Sequence, residues 1–302
     1  MNKIIMIMVD GLGIHPDGSS PASLQRCCLP KFIQLLEQHS TAIDANLGIP
    51  GLPQSATGQC SLFCGINAAQ AVGRHLSGFP NSRLRELIQQ QNIFKSLLQR
   101  GAKVTFANAY INHTLASLRR RGLCSVTTVM TDSTLGKVRG KAELLRGDAL
   151  FHDITREYLT GTMQQRWQTR KTANLPPALK VTDEITPEQA AADLLQIAAR
   201  HDFTLFEFFM SDRAGHRQNE PFLHHIMHNL SRFVIALSRN MAIDTTLLLT
   251  SDHGNCEDLS TKTHTNNPVP LLLYHPAGIK TPSISSLTEV HDLILELIFS
   301  AP

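Results

Sequence analysis

Six side chains, at four separate places in this sequence, are of types that bind metal ions. Asp10 follows the apolar run IIMIMV, Asp212 and His216 lie in SDRAGH, Asp252 and His253 lie in SDHGN, and His264 lies in THTNNP just ahead of VPLLLY. Carboxylate and imidazole are ligand types of zinc and manganese. Asp212 and His216 are four residues apart, so one helical or compact turn aims both at one ion. Asp252 and His253 are adjacent. Neighbours on an extended strand point to opposite faces, so this pair serves a single site only where the backbone turns. Six ligands exceed the needs of one four-coordinate ion and suit two neighbouring ions. Two ions about 3.5–4 Å apart clamp the attacking and leaving oxygens of a phosphoryl transfer.

Such chemistry needs a nucleophile, and GLPQSATGQCSLFCG (51–65) offers one. Gly48, Pro50, Gly51 and Pro53 make a tight approach to a short helix. Ser55 then stands at the helix N-terminus, where free N–H groups and the dipole favour an anion. A metal beside it would lower the hydroxyl pKa and produce an alkoxide. Thr57 and Ser61 are less well placed, although spacing alone leaves Thr57 open. The plainer role for Ser55 is that of a helix cap. Arg74 and His75 in GRHLSGFP, and Asn108 in FANAY, are candidates for contact with a substrate phosphate. His224 and His228 share a face of a long helix and read as a solvated face. Cys60 and Cys64, one turn apart, read as core packing.

The elements that must position these groups alternate between strand and helix. Apolar runs predict strands at 4–9, 104–107, 203–210, 245–250 and 269–274. Helical spacing marks 29–38, 56–65, 93–100, 222–239 and an amphipathic stretch from Leu287. Thr186-Pro187-Glu188-Gln189 has the cap, the proline and the glutamine of a helix start, with the helix running to about Arg200. The expected fold is therefore α/β, with a mainly parallel central sheet and helices on both faces. Ligands of such sheets bind beyond the carboxyl ends of the strands, which is where Asp10, Asp212, His216, Asp252 and His253 fall. Residues 116–185 break the alternation and read as a small insertion or cap. The core then comprises 1–115 and 186–302.

The chain of 302 residues is 42% hydrophobic and 18% charged, as expected of a globular protein. A net charge of +3 gives no reason to expect a nucleic-acid partner. The basic triplet Arg119–Arg121 reads as a solvated helix end. The first apolar run is too short for a signal sequence, and no stretch is long enough to span a membrane. Six cysteines without CxxC spacing read as free thiols in a reducing cytoplasm.

In these motifs the sequence resembles the alkaline phosphatase superfamily of metalloenzymes. The branch it most resembles holds cofactor-independent phosphoglycerate mutase and phosphopentomutase. MIMVDGLG, SDRAGH, SDHGN and HTNNPVP match that branch in order and spacing, and Ser55 with Gly65 fits the superfamily's nucleophile spacing. The resemblance implies an alkaline-phosphatase-like fold and two divalent ions, zinc or manganese. One would be held by Asp212, His216 and His264, the other by Asp10, Asp252 and His253 with Ser55 in contact. Ser55 would form a phospho-serine intermediate. The mutase motif NSEVGH is replaced by QSATGQ, and the insertion is much smaller than a mutase's, which must exclude water. The expected activity is thus hydrolysis of a small-molecule phosphate ester, as a phosphatase or phosphodiesterase. An intramolecular phosphomutase is the first alternative, and a non-catalytic metal-bearing binding protein the second. Sulfatases of the superfamily carry cysteine where this chain has Ser55.

Overall fold

The computed structural model describes residues 2–111, 113–167, 181–279 and 283–300. Six strands form one sheet: β1 (Lys3–Val9), β2 (Ser40–Ile43), β3 (Val104–Phe106), β4 (Phe203–Phe208), β5 (Thr245–Ser251) and β6 (Val269–Tyr274). Their order is β2-β6-β5-β1-β4-β3. β1 runs parallel to β4 and β5, and β4 is parallel to β3. β6 is antiparallel to both of its neighbours, β5 and β2. The expected α/β class with a mainly parallel sheet is what the chain adopts.

The middle strands are buried along almost their whole length and mostly apolar, because both faces are covered. Ile5, Ile7 and Val9 of β1 pack on one side with helices Pro30–His39, Pro187–Ala198 and Glu220–Asn240. Ile4, Met6 and Met8 pack on the other with helices Ser55–Cys64, Ser82–Gln90, Ile93–Gln99 and Val290–Phe299. This alternation follows the two-residue period of a strand. Each aliphatic side chain so buried contributes on the order of 1.5–3 kcal/mol.

Register fixes where the functional loops emerge. Val9 lies opposite both Phe208 and Ser251, so β1, β4 and β5 end level and release Asp10, Asp212 and Asp252 at one edge. The reversal of β6 brings its start, not its end, to that same edge. His264 precedes β6 and for that reason joins the other ligands.

Several boundaries differ from the sequence expectation. The strand expected over 203–210 stops at Phe208, because Phe209 turns to φ −112°, ψ 15° and a helix begins at Met210. Asp212 therefore lies in the first turn of helix Met210–Gly215. Thr186 caps its helix as expected, accepting from the Gln189 N–H at 3.1 Å. The Gln189 side chain does not close a capping box. It donates to Asp193 Oδ1 at 3.1 Å instead. The short polar strand β2 and helix Ser82–Gln90 carry no strong apolar run and went unpredicted. Within 116–185, helix Val126–Leu135 contributes Val126, Val129 and Met130 to the second face of the core. Leu144, Phe151 and Leu159 join Ala109 and Ile111 in a third, smaller cluster. Residues 168–180 of that expected cap lie outside the described residues. All six cysteines are unpaired and buried. Among the described residues, no helix is long and apolar enough to cross a membrane.

Candidate active site

All six ligand candidates and Ser55 meet beyond the ends of β1, β4 and β5. Ser55 Oγ lies 2.9 Å from His253 Nε2. That nitrogen is 3.1 Å from Asp10 Oδ1 and 3.7 Å from Asp252 Oδ2. On the other side, Asp212 Oδ2 is 3.3 Å from His216 Nε2, and Asp212 Oδ1 is 3.5 Å from His264 Nε2. The two imidazole Nε2 atoms are 3.3 Å apart. The His253 and His264 rings stack at 3.7 Å between centroids and so join the two clusters. Donor atoms of Asp10, Asp252 and His253 converge, as do those of Asp212, His253 and His264.

The imidazoles are oriented for lone-pair donation. Each Nδ1 faces a backbone carbonyl: Gly254 O at 3.3 Å for His253, Lys262 O at 2.6 Å for His216 and Pro53 O at 2.7 Å for His264. A carbonyl can only accept, so each Nδ1–H donates to its carbonyl and each ring turns its Nε2 toward the carboxylates. This arrangement positions and tunes metal-binding histidines.

The carboxylates call for positive charge. Asp10 Oδ1 is buried without a hydrogen-bond partner. Burial, and then the charges of Asp252, Asp212 and Glu207, push the Asp10 carboxyl well above its usual range. Asp252 is fully buried. Buried carboxylates this close together are costly unless cations or protons compensate them. Burial also opposes ionisation of Asp212, yet hydrogen bonds from His216 and His264 hold its carboxyl far below the ordinary range. The mixed oxygen and nitrogen donors, the orphaned Asp10 oxygen and the aimed Nε2 atoms fit two divalent ions.

Several side chains without an assigned role in the sequence hold this set in place. Gln59, one turn after Ser55, donates to Asp252 Oδ2 at 2.9 Å, and the Gly11 N–H donates to Asp252 Oδ1 at 3.3 Å. Asn255 Nδ2 donates to Asp212 Oδ1 at 2.5 Å. Buried Glu257 accepts from the N–H groups of Gly13 (2.9 Å) and Asn255 (2.7 Å), from Asn267 Nδ2 (3.1 Å) and from the Thr265 hydroxyl. It thereby ties together the loops that carry Asp10, His253 and His264. Asn255 and Glu257 adjoin SDHG, which was their only signal. Gly58 lets helix Ser55–Cys64 press against the backbone of Asp252, since a Cβ there would sit 2.4 Å from Asp252 O.

Ser55 is the first residue of its helix. The cap position belongs to Gln54, which makes no side-chain cap bond. The Ser55 hydroxyl turns to His253, whereas buried Thr57 donates to Gln54 O at 3.1 Å and accepts from the Leu76 N–H at 3.3 Å. A cavity of about 720 Å³ opens on Ser55, Asp10, Asp212, His216 and His264. Asn108 lines it, but its amide spans the Glu207 backbone, donating at 2.7 Å and accepting at 2.9 Å. Exposed Arg74 and half-buried His75 are not among its walls, and His75 Nε2 contacts Ile49 O at 3.1 Å. His224 and His228 stack on each other at 6.0 Å, away from the cavity. Glu207 and Arg213 are among the other polar side chains that line the cavity. Glu207 is pushed up to about 7 by burial and accepts from Thr127 at 2.7 Å, and Arg213 lies over the Tyr158 ring at 5.0 Å.

Comparison with known proteins gives a family and a fold. The family described as Metalloenzyme superfamily matches residues 2–301. A 2,3-bisphosphoglycerate-independent phosphoglycerate mutase of Gracilaria tenuistipitata var. liui is 27% identical over 141 residues, covering 41% of this chain and 28% of that protein. The matched stretch is thus less than a third of that relative's length. In fold, the chain is similar to a protein of Pyrococcus horikoshii (TM-score 0.59, 15% identity, 100% of this chain and 98% of that one). It is also similar to alkaline phosphatase from the Antarctic bacterium TAB5 (TM-score 0.57, 14% identity, 98% and 97%).

Proposed function

The chain belongs to the metalloenzyme superfamily, and from that premise we propose that it is a two-metal-dependent phosphoryl-ester hydrolase acting through a phospho-serine intermediate on Ser55. The observation that carries the reading is the Ser55 hydroxyl, 2.9 Å from His253 Nε2 and set at a helix N-terminus beside two carboxylate–imidazole clusters. Asp10, Asp252 and His253 would hold one divalent ion, and Asp212, His216 and His264 the other. Such ions, zinc or manganese, would lower the Ser55 hydroxyl pKa and neutralise charge on the transferring phosphoryl group.

The residues of the chain perform the remaining tasks. The positive end of the dipole of helix Ser55–Cys64 favours the phosphoryl oxygens. Ser55 Oγ attacks phosphorus, the ester oxygen leaves with the alcohol, and water then cleaves the phospho-serine to release inorganic phosphate. Asn255 and Gln59 fix the carboxylates of Asp212 and Asp252, so no group must reorganise during transfer. Arg213, on the cavity wall, is placed to meet the substrate phosphate.

The name of the curated relative favours a second reading, an intramolecular phosphomutase. The test is phosphate release from phosphomonoesters by protein reconstituted with zinc or with manganese, beside Ser55→Ala. Release that needs metal and falls at least about 100-fold in Ser55→Ala is expected. Full activity in Ser55→Ala refutes the nucleophile assignment. Interconversion of phosphoglycerates without free phosphate establishes the mutase.

A further inference from the structure

We infer that the cavity beside Ser55 selects phosphate monoesters whose leaving alcohol is neutral and aromatic. The inference rests on the phosphoryl-ester reading of the site and concerns what lies next to it. Much of the wall is carbon, with Phe79, Phe106, Ile111, Leu118, Leu123 and Phe209 among its residues beside the uncharged Ser77, Ser125 and Thr128. Phe106 ends β3 and Ile111 follows it, so this apolar lobe lies beyond the outer strand, past Asn108 and Glu207. Its aromatic wall is packed: Phe209 stacks on His152 at 4.0 Å and 28°, and Phe151 lies 6.2 Å from Tyr158. A volume of about 720 Å³ exceeds what a phosphate with a three-carbon alcohol fills.

Charge points the same way. Arg213 is the only lysine or arginine among the described residues lining the cavity, whereas Asp10, Asp212 and Glu207 are carboxylates there. His152 adds no cation, because burial, and then the neighbouring Arg213, holds its pKa well below the usual value. A leaving group with its own carboxylate or second phosphate would have one guanidinium to share with the transferred phosphoryl group, and apolar carbon beyond it. Burying an anion against such a wall is strongly unfavourable. A planar ring, by contrast, gains burial and stacking against Phe209 and its neighbours.

The test compares 2-naphthylmethyl phosphate with glycerol 3-phosphate, both esters of primary alcohols, in the metal-loaded enzyme. The expected kcat/KM ratio favours the naphthyl ester by about 10-fold or more. Phe79→Ala should shrink that ratio severalfold. Phe79 is 47% exposed, so its truncation leaves the core packing in place. Equal kcat/KM values, or a preference for glycerol 3-phosphate, overturn the inference and leave the hydrolase reading standing. A second measurement needs neither metal nor turnover: titration with 2-naphthylmethanol, followed by its fluorescence. Saturable binding, weakened by Phe79→Ala, supports the inference, and absence of saturable binding overturns it. If the alcohol binds but neither ester releases phosphate, the hydrolase reading falls and the apolar selectivity stands.

Discussion

Gly58 offers a direct test of how the helix carrying Ser55 is seated. A Cβ added there would lie 2.4 Å from Asp252 O and 3.2 Å from Asp252 Cβ. An ordinary carbon–oxygen contact is about 3.3 Å or more, so Gly58→Ala forces a retreat of about 1 Å. The obstacle is backbone, which cannot rotate aside. Overpacking of this kind costs about 1–3 kcal/mol, here toward the upper end. Alanine returns about 1 kcal/mol of helix propensity. The net loss is about 2 kcal/mol, or about 3 °C in Tm for a chain of this length. Function should suffer more. The retreat separates Ser55 from His253, or displaces Asp252 from its cluster, and a misplacement of about 1 Å can cost about 100-fold in rate. Thermal melts, metal titration and phosphate-release kinetics on the same preparation check this. A variant with unchanged Tm refutes the packing argument. One that melts earlier but keeps full kcat/KM and metal affinity refutes the claim that this contact positions the nucleophile.

Three other perturbations follow from the same contacts. Zinc or manganese should raise Tm, and chelation should reverse the rise, because the buried Asp10–Asp252 pair is compensated; Asp10→Asn should melt higher than the parent in chelator at pH 8 and lose most of the metal-dependent gain. Glu257→Gln must set an NH2 group either against the Gly13 and Asn255 N–H groups or against Asn267 Nδ2 and the Thr265 hydroxyl, all of which now donate to a carboxylate oxygen, and should cost about 1–3 kcal/mol by denaturant melt, whereas an unchanged midpoint refutes the loop-tie role. Burial raises Asp153 from 3.8 to about 7, so the fold favours its protonated form. Its contribution to stability is complete below pH 4 and is lost as pH rises through 7, by up to roughly 4 kcal/mol. Asp153→Asn should flatten the stability curve between those limits, and parallel curves for parent and variant refute the assignment.

Five of the six strands and the candidate ligands were legible in the sequence alone. Runs such as IIMIMV and TTLLLT carry no charge and are dominated by aliphatic or β-branched residues, because both faces of the central strands are covered, and a continuous run is visible without partners. Asp10, Asp212, Asp252 and His253 were legible because polar residues end such runs abruptly. Tertiary structure decided what spacing cannot encode. The level ends of β1, β4 and β5 depend on register between segments some 200 residues apart. His264 reaches the site because β6 runs backwards, a choice fixed by pairing with β5 and β2. Asn108 looked available in the one-dimensional string, but its amide is taken up by the Glu207 backbone. Gln59 carried no pattern, and Asn255 and Glu257 showed only through their place in or beside SDHGN, because single polar residues act here through long-range hydrogen bonds. Local periodicity records which face a residue must bury; which distant atoms it then meets is settled only when the sheet is assembled.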